Sequence, residues 1–154
     1  MVEEIPSDDQ VSRHVDSPDK WNPDEKRFVD DRLFMFKSPD EVESVVWRKY
    51  AVHIDDVHTL GCRRQGDRRQ YRPNWTYEGA ITALVRNIRS IATQYGDRFE
   101  VVHAPDEGVH HAHIEYRLAE TKQYIKQRKL DLKEYLRRQF GDLDLHECPD
   151  RPAI

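Results

Sequence analysis

The chain has 154 residues, a net charge of −4, 37% hydrophobic and 35% charged residues, which allows one domain with a modest core. No run approaches the ~18 apolar residues of a membrane span, and the acidic opening Met1-Val2-Glu3-Glu4-Ile5-Pro6 lacks the basic-then-apolar order of a signal peptide. The expectation is a cytoplasmic protein with no membrane partner, whose two cysteines, Cys62 and Cys148, are reduced thiols.

Charge is unevenly placed: residues 1–45 carry 13 Asp and Glu against 6 Lys and Arg, and the remainder is mildly basic. That asymmetry suits a body that meets a polyanion and an acidic arm that limits non-specific contact. Residues 1–37 read as an acidic, partly disordered leader ending in a docking segment at 33–36, Leu33-Phe34-Met35-Phe36. Ser38-Pro39-Asp40-Glu41 has the chemistry of a helix start, with a hydroxyl cap, proline in the first turn and acids at the positive dipole end. The spacing of Val42, Val45, Val46 and Tyr50 predicts a helix over 39–50. Residues Val57 to Cys62 suit a short strand or a helical turn equally.

A basic loop is expected from Arg63 to Pro73, within a stretch from Cys62 to Ser90 that holds seven Arg against two acids. Aromatic rings interleave with these arginines. Guanidinium groups hold phosphate and aromatic faces stack unpaired bases, so Arg63, Arg64, Arg68, Arg69, Arg72, Tyr71 and Trp75 form a candidate nucleic-acid surface. The same composition suits a solvated loop with inward-packed aromatics. A helix is predicted over 76–95, from Thr76 as cap to Gly96 as stop, burying Ile81, Leu84, Val85, Ile88 and Ile91.

Two alternating segments, 98–104 and 109–117, flank Pro105-Asp106-Glu107-Gly108 and predict a β-hairpin. An amphipathic helix over 118–140 follows, with Leu118, Ile125, Leu132, Leu136 and Phe140 on one stripe, and then a coil-like tail at 142–154. The expected fold is α+β: a single domain over 38–141, in which a small antiparallel sheet containing the hairpin is packed by helices near 39–50, 76–95 and 118–140.

Strand periodicity puts His111, His113 and Glu115 on one face of the second hairpin strand and Ala112, Ile114 and Tyr116 on the other. If Phe99 and Val101 share a face with Ala112 and Ile114, Glu100 falls opposite His113. The candidate metal ligands are then His111, His113, Glu115 and Glu100, with a position left for water or substrate. A three-residue loop with Gly108 left-handed instead slips the register by one and brings His103 beside His111. The same side chains also suit a solvated strand face. A second set, His58, Cys62, His146 and Cys148, has Cys2His2 stoichiometry with irregular spacing.

The order helix, strand, short turn and strand carrying His111-Ala112-His113 resembles the core of the HUH endonucleases, which comprise rolling-circle Rep proteins, relaxases and single-tyrosine transposases. The resemblance runs from Ile81 to Tyr124. It implies that His111 and His113 hold Mg²⁺ or Mn²⁺, with Zn²⁺ ranked behind, and that Glu100 or Glu115 completes the site. It also implies that Tyr124 or Tyr135 attacks a DNA phosphate to form a phosphotyrosine, conserving bond energy for rejoining.

Three functions follow as expectations. The first is a metal-dependent, HUH-like protein acting on nucleic-acid phosphodiesters. The second is a non-catalytic nucleic-acid-binding or regulatory module. The third is an assembly protein of a mobile element or virion, forming a homo-oligomer or meeting a protein partner through the acidic leader or the last helix.

Overall fold

The computed structural model describes residues 1–36, 42–117 and 126–149, and side chains at all of these except 126 and 127. The fold is α+β: one antiparallel sheet of six strands, packed by helices. Its strand order is β6-β7-β4-β1-β5-β8. In chain order these are β1 (Gln10–Ser17), the two-residue strands β2 (Trp21–Asn22) and β3 (Arg27–Phe28) of a separate small hairpin, β4 (Glu43–Trp47), β5 (Thr76–Leu84), β6 (Arg98–His103), β7 (His111–Arg117) and β8 (Asp144–Leu145). The helices are α1 (Ile54–Arg68), α2 (Val85–Arg89) and α3 (Lys126–Arg138).

The expected leader is folded: residues 10–17 are β1, paired with β4 on one side and with β5 on the other. Seven of its eight residues are buried. Its sequence, with Arg13, His14 and Asp16 among two valines, has the polarity of a loop, and it becomes a central strand because neighbouring side chains satisfy each charge. The expected helix at 39–50 is corrected to β4 and a 3-10 turn, Arg48–Tyr50; Ser38 to Glu41 lie outside the described residues. Val45-Val46-Trp47 is a β-forming run, and once β1 and β7 flank it both its faces are buried, which a helical stripe does not require.

The expected helix at 76–95 is likewise corrected, to β5 followed by the short α2. Ile81, Val85 and Ile88 mimic helical spacing, but Ile81 and Ala83 face one side of the sheet while Ala80 packs on the other. A register shift at Val15/Asp16, with Gly79 at φ +152, interrupts the alternation, and a Cβ on Gly79 would collide with the Asp144 carbonyl of β8. Residues 57–62 belong to α1, a helix started by acids at Asp55 and Asp56 and by the Asp56 carboxylate accepting the His53 N–H at 3.1 Å. The tail is not all coil, since Asp144–Leu145 adds an edge strand to β5.

The main core lies on one face of the sheet. Val11, Val15, Val45, Trp47, Ile81, Phe99, Val101, Ile114 and Tyr116 meet Leu132, Leu136 and Phe140 from α3 and its C-terminal turn, as their spacing predicts; Leu118 and Ile125 lie outside the described residues. Leu33, Phe34 and Phe36 dock there as expected. A buried ion pair holds them in place: Glu43 Oε2 accepts from Arg13 Nη2 at 2.8 Å, while its Oε1 accepts the Met35 and Phe36 N–H groups at 2.7 and 3.1 Å. Arg13 also donates to the carbonyls of Ser44 and Leu33. A second buried pair, Arg128 with Asp97, ties α3 to the turn before β6. On the opposite face α1 packs Val57, Ile54 and Leu60 against Val46 of β4 and Ala80 of β5.

Breaking the first pair from one side leaves a buried guanidinium without its counter-charge, which costs about 3–5 kcal/mol. We expect Glu43→Ala to destabilise the protein by about that amount in urea unfolding, and Arg13→Met with Glu43→Leu together to cost much less than Glu43→Ala alone.

Candidate functional site

Hairpin and face alternation are as expected. On β7, Ala112, Ile114 and Tyr116 are buried in the core, and His111, His113 and Glu115 point to the opposite side, partly exposed. The register differs. Glu100 lies opposite Glu115, Val102 opposite His113 and His103 opposite Ala112, two residues from the expected pairing. A longer connection causes this: Ala104 to His110, including a 3-10 turn at Pro105–Glu107 and Gly108 at φ +134. A two-residue change preserves which face each side chain occupies, so the histidines keep their side while their neighbours change. His103 therefore sits on the core face, accepting the Glu3 N–H at Nδ1 and donating from Nε2 to the Val109 carbonyl.

The third ligand also changes. Glu100 is engaged by Arg89, at 2.5 Å; against the upward push of burial, that guanidinium and the Val101 N–H hold its carboxyl below the usual range. Glu115 has only a 3.8 Å approach from Arg117. Glu107, from the 3-10 turn, brings Oε2 to 2.9 Å from His111 Nδ1 and 3.4 Å from His113 Nε2. One ligand atom from each of these three residues lies within 4.8 Å of the others. In the sequence Glu107 reads as a turn residue; the available signal is a carboxylate four and six residues before two histidines that share a strand face.

Burial holds the His111 imidazole below its ordinary pKa, outweighing the opposing pull of Glu107. His111 Nδ1 is buried, is not aligned for a hydrogen bond with the carboxylate 2.9 Å away, and has no other hydrogen-bond partner among the described residues. An imidazole nitrogen and a carboxylate oxygen that converge without a hydrogen bond between them form a donor pair that a divalent cation can complete.

Across a cleft of about 430 Å³ stands the second half of the site. Arg63, Arg64 and Arg68 on α1 line it opposite His110, His111 and Glu107, with Ser12 and His14 on its floor. Among the described residues none of the three arginines forms an ion pair with a carboxylate. His14, buried beneath, positions one of them: Nε2 donates to the Val57 carbonyl at 3.0 Å and Nδ1 accepts from Arg64 Nη1 at 3.1 Å. Accepting from Arg64 requires the neutral ring, and the Val57 carbonyl places its proton on Nε2. Burial, with the charge of Arg64, pushes the His14 pKa down to about 3.

The remaining sequence candidates separate from this cleft. Arg69 donates to the Trp75 carbonyl and Thr76 Oγ1, Arg72 pairs with Asp19, and Trp75 is buried. Tyr71 is exposed. The expected basic loop is helical as far as Arg68, which is why three of its arginines project together and the others do not. Tyr135 packs against the main core, on the other side of the sheet from the histidines, and Tyr124 lies outside the described residues. Cys62 and Cys148, expected as thiols, form a disulfide. No described helix is long and apolar enough to cross a membrane. No known protein family, curated protein or solved structure matches the chain.

His14 gives the folded state a pH signature. Its pKa is about 6.5 unfolded and about 3 folded, so its contribution to stability is complete above the unfolded value and declines as pH falls from there toward the folded one. Urea unfolding should show a loss of about 2 kcal/mol from this group between pH 6.5 and about pH 5. The paired carboxylates of Glu3, Asp19 and Glu100, held low, withdraw their contributions only in more acidic solution. His14→Gln, whose amide can donate and accept in the same places, should flatten the slope in that window.

Proposed function

We propose that the chain is a metal-dependent protein acting on nucleic-acid phosphodiesters, with Glu107, His111 and His113 as metal ligands and Arg63, Arg64 and Arg68 as the phosphate-holding row. One observation carries this reading: Glu107 and His111 of a two-histidine, one-carboxylate cluster line a cleft whose other wall holds three arginines that have no carboxylate partner among the described residues. A cation beside three guanidinium groups is tolerable only when an anion lies between them, and a phosphodiester is such an anion. Two imidazoles and one carboxylate favour Mn²⁺ over Mg²⁺, which prefers oxygen donors throughout; Zn²⁺ accepts the same set. The proposed setting is the cytoplasm.

A bound divalent ion would polarise a phosphoryl oxygen and acidify a water molecule. The chain's own residues hold the substrate: Arg64, oriented by His14, and Arg63 and Arg68 grip the phosphate and spread the charge that develops as the bond breaks. Tyr135 faces away, so the covalent tyrosine step implied by the HUH resemblance rests on Tyr124 alone. We read hydrolysis by water as the reaction, and Tyr124→Phe should then leave cleavage unchanged. A non-catalytic nucleic-acid-binding role is the second reading, favoured by the arginine row itself, which holds phosphate without a metal.

Calorimetric titration with Mn²⁺ should give one site that His111→Ala with His113→Ala weakens by more than about 100-fold, beyond the 10–100-fold expected of outer-sphere changes. Cleavage of a labelled oligonucleotide should disappear with it. Nucleic-acid binding that survives in that variant, with no cleavage by the wild type, identifies the second reading. For the arginines we expect each of Arg63→Gln and Arg68→Gln to lower the salt dependence of single-strand binding by about 0.7 in the log–log slope, measured by fluorescence anisotropy.

A further inference from the structure

On the other flank of α1, the C-terminal segment returns alongside the sheet. β8 pairs with β5, and the His146 N–H donates to the Glu78 carbonyl at 2.9 Å, so backbone bonds alone place His146 and Cys148 next to the helix. Cys62 and Cys148 have a Cα–Cα distance of 5.5 Å and are joined. Ligand atoms of Cys62, His146 and Cys148 lie within 4.8 Å of one another. His58, the fourth member of the set expected from sequence, is already committed, since its Nδ1 meets the Tyr77 hydroxyl at 2.8 Å and its Nε2 the Asp144 carboxylate at 2.6 Å. It instead stacks on His146, with ring centroids 4.4 Å apart.

We propose that Cys62, Cys148 and His146 form a zinc site when the disulfide is reduced. The His146 ring has no hydrogen-bond partner among the described residues, so its nitrogens are available, and the His58 stack limits how the ring turns. The three residues line a cavity of about 780 Å³, leaving a fourth position for water, the arrangement of an open zinc site. Arg63 and Arg69 line the same cavity, and their positive charge complements the negative charge that two zinc-bound sulfurs carry.

The chemistry balances with a dithiol reductant. Two electrons pass to the Cys62–Cys148 bond, the reductant closes to its own disulfide, and two thiols remain; Zn²⁺ then displaces both thiol protons to solvent. The C-terminal strand is thereby held on α1 covalently when oxidised and through the metal when reduced. This centre does not depend on the cleft reading, because it shares no ligand with Glu107, His111 and His113.

The test uses the full chain carrying His111→Ala and His113→Ala, so that the cleft ligands are removed, with a phosphine as reductant because it competes little for zinc. Titration against a chromogenic chelator should show one Zn²⁺ taken up by the reduced protein and none by the oxidised, with two protons released per ion. Co²⁺ in place of zinc should give an intense thiolate-to-cobalt charge-transfer band. Cys148→Ser should weaken uptake at least 100-fold, and His146→Ala, which keeps both cysteines and serves if the serine variant does not fold, should weaken it at least tenfold. No uptake by the reduced protein, or uptake without the charge-transfer band, would overturn the proposal.

Discussion

Every part of this structure depends on a central strand buried on both sides that carries three ionisable residues. Uncompensated, Arg13, His14 and Asp16 would each cost several kcal/mol in that position. Each is answered from a different part of the chain. Arg13 meets Glu43, which in turn receives the backbone of Met35 and Phe36 and so seats the docking segment on the core face. His14 meets the Val57 carbonyl and Arg64 on the opposite face, linking the sheet to α1. Asp16 takes Lys20 across the turn that follows the strand. The polar residues that make β1 look like a leader are thus the ones that select its neighbours.

Alternation along β7 separates a buried face from a partly exposed one. The residues facing the core are sealed, while on the opposite side His111 meets a cleft whose far wall is helical. Strand spacing sets the distance between His111 and His113, and the helical repeat sets the arginine row. Neither element alone carries a site. Their combination is electrostatically one-sided: three guanidinium groups against Asp67 and Glu107, with His110 held below its ordinary pKa by burial and by Arg63. Such a field attracts anions over distances comparable to the Debye length and holds them most firmly where water is excluded.

The hairpin, the face of each of its residues, the amphipathic last helix and the docking of Leu33 to Phe36 were legible because local periodicity determines them. Strands β1 and β4 were not, because burial on both faces erases the alternation that marks a strand, and β5 was not because the register shift beside Gly79 interrupts its alternation. Ile81, Val85 and Ile88 share helical spacing although they straddle the junction of a strand and a short helix. Glu107 was hidden for a different reason. Its place beside the two histidines comes from the length of one loop, and a count of turn residues underestimates a connection that contains a 3-10 turn. The arginines divided correctly only once Arg63 to Arg68 were known to be helical, since a loop and a helix present the same residues in different directions.

Helix α1 is the element both candidate sites share, and a single close approach fixes its seat. Gly61 lies against the Tyr77 ring with no space for a Cβ, and the Tyr77 N–H donates to the Gln65 side-chain oxygen at 2.9 Å one turn further on. A helix held this near the sheet brings Arg64 within reach of His14 on one flank and Cys62 within reach of Cys148 on the other. With any larger side chain at position 61, the helix axis would have to move outward. The arginine row would then draw back from the histidine strand at the same time as Cys62 drew back from the C-terminal segment, so the tight packing at Gly61 sets the geometry of both flanks together.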